Sequence, residues 1–210
     1  MITCRTRIQP DGQSSKCQTA SMTDTSKGHA HEHDIACDMA HGLVPAPTEG
    51  RRLIAVFLSP VSLELAHMSA HVGFEVTIVD PDVKRRLTDV VIVPDIGAAK
   101  PDDSTDVVVT DHDRPELGDV LSDALRSTTR WIGVMGSPRH TAPHIQALKD
   151  NGFDDEAIAR VHRPIGLDIG SHAPGEIAIA TVAGLLADRN GRSGGQYEDA
   201  AQQRPLNDRS

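Results

Sequence analysis

The stretch Ile132-Gly-Val-Met-Gly-Ser-Pro-Arg-His140 ends an apolar run in Gly-Ser-Pro and then places a basic pair where a helix should begin. Gly133 and Gly136 would let backbone approach a ligand closely. A helix starting at Ser137 would add free amides and the positive end of its dipole, a combination suited to phosphate or another anion. Arg139 and His140 are unfavourable charges at that end of a helix, and an anion beside them would account for both. The plain alternative is a tight strand-to-helix connection with its basic residues in solvent.

Other stretches carry chemistry-bearing residues. In Arg163-Pro-Ile-Gly-Leu-Asp-Ile-Gly-Ser-His-Ala-Pro-Gly-Glu176, glycines and prolines give the loop a defined backbone shape. Asp168 stands between Gly166 and Gly170, as a hydrogen-bond acceptor or as an acid bonded to its own backbone. Thr110-Asp-His-Asp113 follows a valine-rich run, and His112 with Asp113 could serve as an acid–base or metal group or as helix caps. His29, His31 and His33, with Cys37 and His41 further on, have spacings that could hold a transition metal. Their surroundings are polar and aperiodic, and a loose His-rich tract binds metals without that being its task.

Val56-Phe-Leu-Ser-Pro-Val-Ser62 is where a dinucleotide-binding turn would sit. Such a turn wants G-x-G-x-x-G, because only glycine lets backbone amides approach a pyrophosphate. No glycine is present, and Pro60 removes a donor. Asp80 stands where a ribose-binding acid would, but without the glycines NAD(P) binding in the usual manner is doubtful. The turn is expected to be structural.

The elements that must position these groups alternate. Strands are expected over Leu53–Leu58, Glu75–Asp80, Val90–Val93, Val107–Val109 and Trp131–Met135. Helices are expected from Ser59-Pro60 to Gly73, over Pro115–Ser127, from Ser137-Pro138 to Asn151, over Asp154–Arg160 and over Gly175–Arg189, the last apolar on most faces and therefore buried. That order gives a doubly wound, mainly parallel Rossmann-like α/β sheet, with ligands beyond the carboxyl ends of its strands. Residues 1–50 are polar and His-rich and are expected to be disordered, 51–190 form the domain, and 191–210 a loose tail. Met22 is a second candidate for the true start.

Composition narrows the classes. Aromatics are only 2% of 210 residues, so the core must be built from Val, Ile, Leu and Ala, as a covered parallel sheet allows. A formal net charge of −9 excludes a general nucleic-acid binder. No apolar run reaches the roughly 20 residues of a membrane span. Cys4, Cys17 and Cys37 are odd in number and lie outside the expected core, so a disulfide framework is not expected and a reducing cytoplasm is. No nucleophile elbow, P-loop, H-E-x-x-H or C-x-x-C occurs.

His112-Asp113, Trp131-Ile-Gly-Val-Met-Gly-Ser137, and Pro164-Ile-Gly-Leu-Asp-Ile-Gly170 with Ala173-Pro-Gly-Glu-Ile-Ala178 occur together and in order. The set resembles the C-terminal Rossmann domain of the XdhC/CoxI family, accessory proteins of xanthine dehydrogenase and related molybdenum hydroxylases. The resemblance implies a protein that holds molybdenum cofactor (molybdopterin), helps its sulfuration and delivers it to the apo-hydroxylase. Its partners would be that apo-enzyme and a cofactor-sulfurating enzyme, and a homodimer is expected. It would be a binding and delivery protein more than a turnover enzyme. The phosphate of the cofactor would lie at Gly133, Gly136, Ser137 and Arg139, with Asp168, Gly170, His112, Asp113 and Asp80 as further cofactor-binding candidates.

The sequence departs from the family in three respects. Leu58-Ser59-Pro60-Val61 stands where Gly-Ala-Gly-His is usual, Pro138-Arg139-His140 where Arg-Arg-Lys is usual, and the N-terminal XdhC domain carried by many members is not expected in residues 1–50. An NAD(P)-dependent oxidoreductase, or a regulatory module that kept the fold and lost its ligand, are the alternative readings.

Overall fold

Residues 35–44, 50–82, 90–136, 142–170 and 172–195 are described by a computed structural model. The chain divides into two units, 1–46 and 47–210. In the first, Ile35–Ala40 form helix α1, within the stretch expected to be disordered. Six residues make fewer than two turns, too short for an apolar period to reveal.

The second unit runs β1 (Arg52–Val56), α2 (Pro60–His71), β2 (Glu75–Val79), β3 (Val91–Val93), α3 (Ile96–Ala99), β4 (Thr105–Val109), α4 (Leu117–Arg126), β5 (Trp131–Val134), α5 (Pro143–Asp150), α6 (Asp155–Ile158), β6 (Val161–His162) and α7 (Pro174–Arg189). The six strands form one sheet in the order β3-β2-β1-β4-β5-β6, with every pairing parallel. This is the doubly wound Rossmann order, whose direction reverses between β1 and β4.

Both faces of the sheet are covered, and the period of two along each strand decides which residue serves which face. Ile54, Val56, Val107, Val109, Ile132 and Val134 pack with Ile96, Leu117, Leu121, Leu148 and Ile158 from α3 to α6. Leu53, Ala55, Ile78 and Val108 face the other way, against Leu65 and Ala66 of α2 and Ala178, Val182 and Leu185 of α7. Helix α7 is less enclosed than its composition suggests, since Ile179 is 55% exposed.

At the amino ends of the strands, the Asp106 carboxylate is fully buried between two guanidiniums. Arg130 Nε donates to one of its oxygens at 2.5 Å and Arg189 Nε to the other at 2.8 Å. The clamp fixes the last turn of α7 to β4 and to the entrance of β5.

Candidate functional site

The carboxyl ends of the strands carry the loops where a ligand is expected. After β1, Ser59 is the N-cap of α2 with Pro60 at its first position, as expected. The Ser59 hydroxyl accepts from the Ser62 N–H at 3.1 Å, and the Ser59 N–H donates to the Ser62 hydroxyl at 2.8 Å. The Leu58 N–H donates to Asp80 at 2.7 Å. Amides that could face a pyrophosphate are thus spent within the turn.

Asp80, 4% exposed, accepts with its other oxygen from the Asp82 N–H at 2.8 Å. In this arrangement it ties the β2 terminus to the first turn. The Thr110 hydroxyl lies 2.9 Å from the Val56 carbonyl and 3.0 Å from that of Phe57, joining β4 to β1 across the switch point.

Phe57, read only as part of the apolar run, has a φ of +71° and a side chain only 1% exposed. Left-handed backbone is uncommon for a bulky residue and costs roughly 1–2 kcal/mol. Burial among Ile54, Val79, Ile96 and their neighbours offsets it. The Arg114 guanidinium lies over the ring, 4.9 Å from its centroid, and is held by Glu116 at 3.0 and 3.2 Å. Arg114 in turn keeps the Glu116 carboxyl below the usual carboxylate range.

After β4, Asp111 accepts from the Asp113 N–H at 3.0 Å, an Asx turn. His112 Nε2 is 3.7 Å from Asp113, whose carboxylate is 87% exposed. The residues are adjacent, His112 half-buried and the Asp113 carboxylate in solvent.

At the β5 end, Gly133 lies inside the strand rather than in the turn, paired with Val108 and His162. A Cβ there would fall 2.2 Å from the Trp131 ring and 2.7 Å from Ile165, so this glycine makes room for packing. The Trp131 ring stacks on His162 at 5.1 Å, their planes 5° apart.

Gly136 is different: a Cβ there would meet the Arg163 guanidinium at 2.6 Å. Gly136 thus brings the β5 exit against the start of the Pro164-Ile-Gly-Leu-Asp-Ile-Gly170 loop. Among the described residues, the next helix runs from Pro143 with Ala142 as its N-cap. Ser137 and Arg139 lie outside the described residues, as do Met22, His29, His31 and His33. Cys37 is on α1. Among the described residues, no group of three or more His, Cys, Asp or Glu is placed to hold a metal.

The loop after β6 is set by α7. Gly166, at a φ of +82°, approaches so closely that a Cβ would come within 3.1 Å of the Ala180 carbonyl. The Leu167 N–H donates to that carbonyl at 3.0 Å. From the helix side, a Cβ on Gly184 would stand 3.0 Å from the Gly166 Cα. Asp168 and Gly170 are exposed beyond this contact. Glu176 caps α7, accepting from the His172 and Ala173 amides at 3.2 and 3.3 Å, and these bonds hold its carboxyl below the usual range.

Over residues 53–185 the chain matches the family described as XdhC Rossmann domain. It is similar to YqeB of Escherichia coli (strain K12), a protein described as uncharacterized, with 27% identity across 74% of this chain and 29% of that one. A crystal structure described as a xanthine dehydrogenase from Bacillus halodurans shares the fold, with a TM-score of 0.53 and 24% identity. That match covers 70% of this chain and 45% of the other. The chain therefore spans less than half the length of each. Among the described residues, no helix is long and apolar enough to cross a membrane.

Proposed function

The chain belongs to the XdhC Rossmann domain family, and from that premise we propose that it is an accessory protein for maturation of a molybdenum hydroxylase of the xanthine dehydrogenase or carbon monoxide dehydrogenase type. It binds molybdenum cofactor and helps its sulfuration and delivery, with the apo-hydroxylase and a cofactor-sulfurating enzyme as partners. One observation carries the reading: at the carboxyl edge of the sheet the Gly136 backbone lies against the guanidinium of Arg163, the residue that leads into the Asp168-bearing loop.

The residues present fit a phosphate-bearing pterin. Gly136 leaves bare backbone beside a cation, because a Cβ would occupy the guanidinium's place. Arg139 supplies a second positive charge in the following segment. The exposed Asp168 carboxylate is available to accept from the donor-rich edge of the pterin, its loop braced by Gly166 on α7. The cofactor supplies the redox chemistry of the hydroxylase that receives it, while this chain holds, orients and releases.

The expected result is that Arg139→Ala and Asp168→Asn each reduce the pterin retained after co-expression with cofactor biosynthesis, at an unchanged melting temperature. Full retention in both variants would remove this edge from the site. Gly136→Val is a less clean probe, since it must also displace Arg163. The self-satisfied turn after β1 favours a second reading, an interaction module without ligand. Absence of any pterin from the unsubstituted protein, with hydroxylase activation intact, would support it.

A further inference from the structure

A cavity of about 400 Å³ opens between the start of α5 and the exit of β6, outside the switch point of the sheet. Its walls include the carbon side chains of Ile145, Ile158 and Val161, with His144 and Arg163 as the polar exceptions. His144 is 4% exposed, and among the described residues its Nδ1 is buried without a hydrogen-bond partner. A buried polar atom left unsatisfied costs on the order of 1–3 kcal/mol, so its persistence at a cavity wall asks for a partner from outside the chain.

The sign of that partner follows from the surroundings. Arg163 imposes a positive field on His144, enough to add to burial in favouring the neutral imidazole. The amino end of α5 contributes a positive dipole end in the same place. The apolar walls and the volume, at the lower end of the range for small-molecule pockets, suit a body larger than an inorganic ion. We propose that this cavity binds a small organic oxyanion. Its charged group lies at Arg163 and accepts a hydrogen bond from Nδ1 of His144, and its carbon body packs on Ile145, Ile158 and Val161.

This site shares Arg163 with the proposed cofactor edge but is carried by His144 and the apolar walls, which the maturation reading does not use. The probes are phenyl phosphate, benzoate and inorganic phosphate, titrated calorimetrically into the full chain. Phenyl phosphate or benzoate is expected to bind saturably, at least about tenfold more tightly than inorganic phosphate. His144→Leu and Arg163→Met should each weaken that binding by about tenfold or more, the loss of one charge-assisted hydrogen bond. In the unsubstituted protein, the bound probe should slow amide exchange in peptides covering 142–150 and 158–164, a readout that survives if a variant fails to fold. No saturable binding by either aromatic anion, equal affinity in folded variants, or protection elsewhere only would overturn the proposal. Pterin retention that persists in a protein binding neither probe would sink this site and leave the maturation reading standing.

Discussion

His144 shows how one residue can carry both a cost and a use. Burial first, and the Arg163 charge second, push its pKa below the ordinary histidine value. The unfolded chain therefore binds a proton that the folded chain refuses. The stability contributed by the neutral ring is complete above the unfolded value of about 6.5 and is lost as pH falls from there toward the depressed folded value. Thermal melts from pH 8 to pH 5 should show the unsubstituted protein losing stability faster than His144→Leu over the acid half. A difference between the two that is constant with pH would refute the assignment. Its sequence signal was modest: His144 and Leu148 share one helical face and are the two buried residues of α5. Nothing local marks the site, because Arg163 arrives from the loop after β6.

At the scale of elements, legibility followed length and punctuation. Ser59-Pro60 was readable because the capping residue and the proline act on adjacent backbone. Ser137-Pro138 carries the same signal but lies outside the described residues, whose helix α5 begins at Pro143. Helix α3, with four residues, and strand β6, with two, are too short to express a period and went unread. The loop from Arg163 to Gly170 was recognisable as shaped, but what shapes it is the glycine contact with α7. Gly184→Ala would place a Cβ 3.0 Å from the Gly166 backbone, which cannot rotate away. The gain in helix propensity of about 1 kcal/mol is smaller than the overpacking cost of roughly 1–3 kcal/mol. A lower melting temperature and faster amide exchange over 163–170 are expected, and a higher melting temperature would contradict the contact.

For the molecule as a whole, the sheet was the most legible part, since strands buried on both faces must be written in Val, Ile, Leu and Ala. Less legible was the tie between the ends of the domain, where Asp106 holds Arg130 and Arg189. Asp106→Asn leaves two guanidiniums facing a neutral amide and should cost about 3 kcal/mol, read as a lower urea midpoint at unchanged slope. An unchanged midpoint would mean that the clamp contributes nothing. Phe57 bears on whether the closed first turn can be reopened. Trimming it to glycine would relieve the left-handed backbone but empty a fully packed position, a loss of roughly 3–5 kcal/mol against a gain of about 1–2 kcal/mol. It would also leave Ser59, Ser62 and Pro60 still closing the turn. Reopening the turn therefore takes more than one substitution, because the packed ring and the serine cap hold the closed form independently, like two latches on one door.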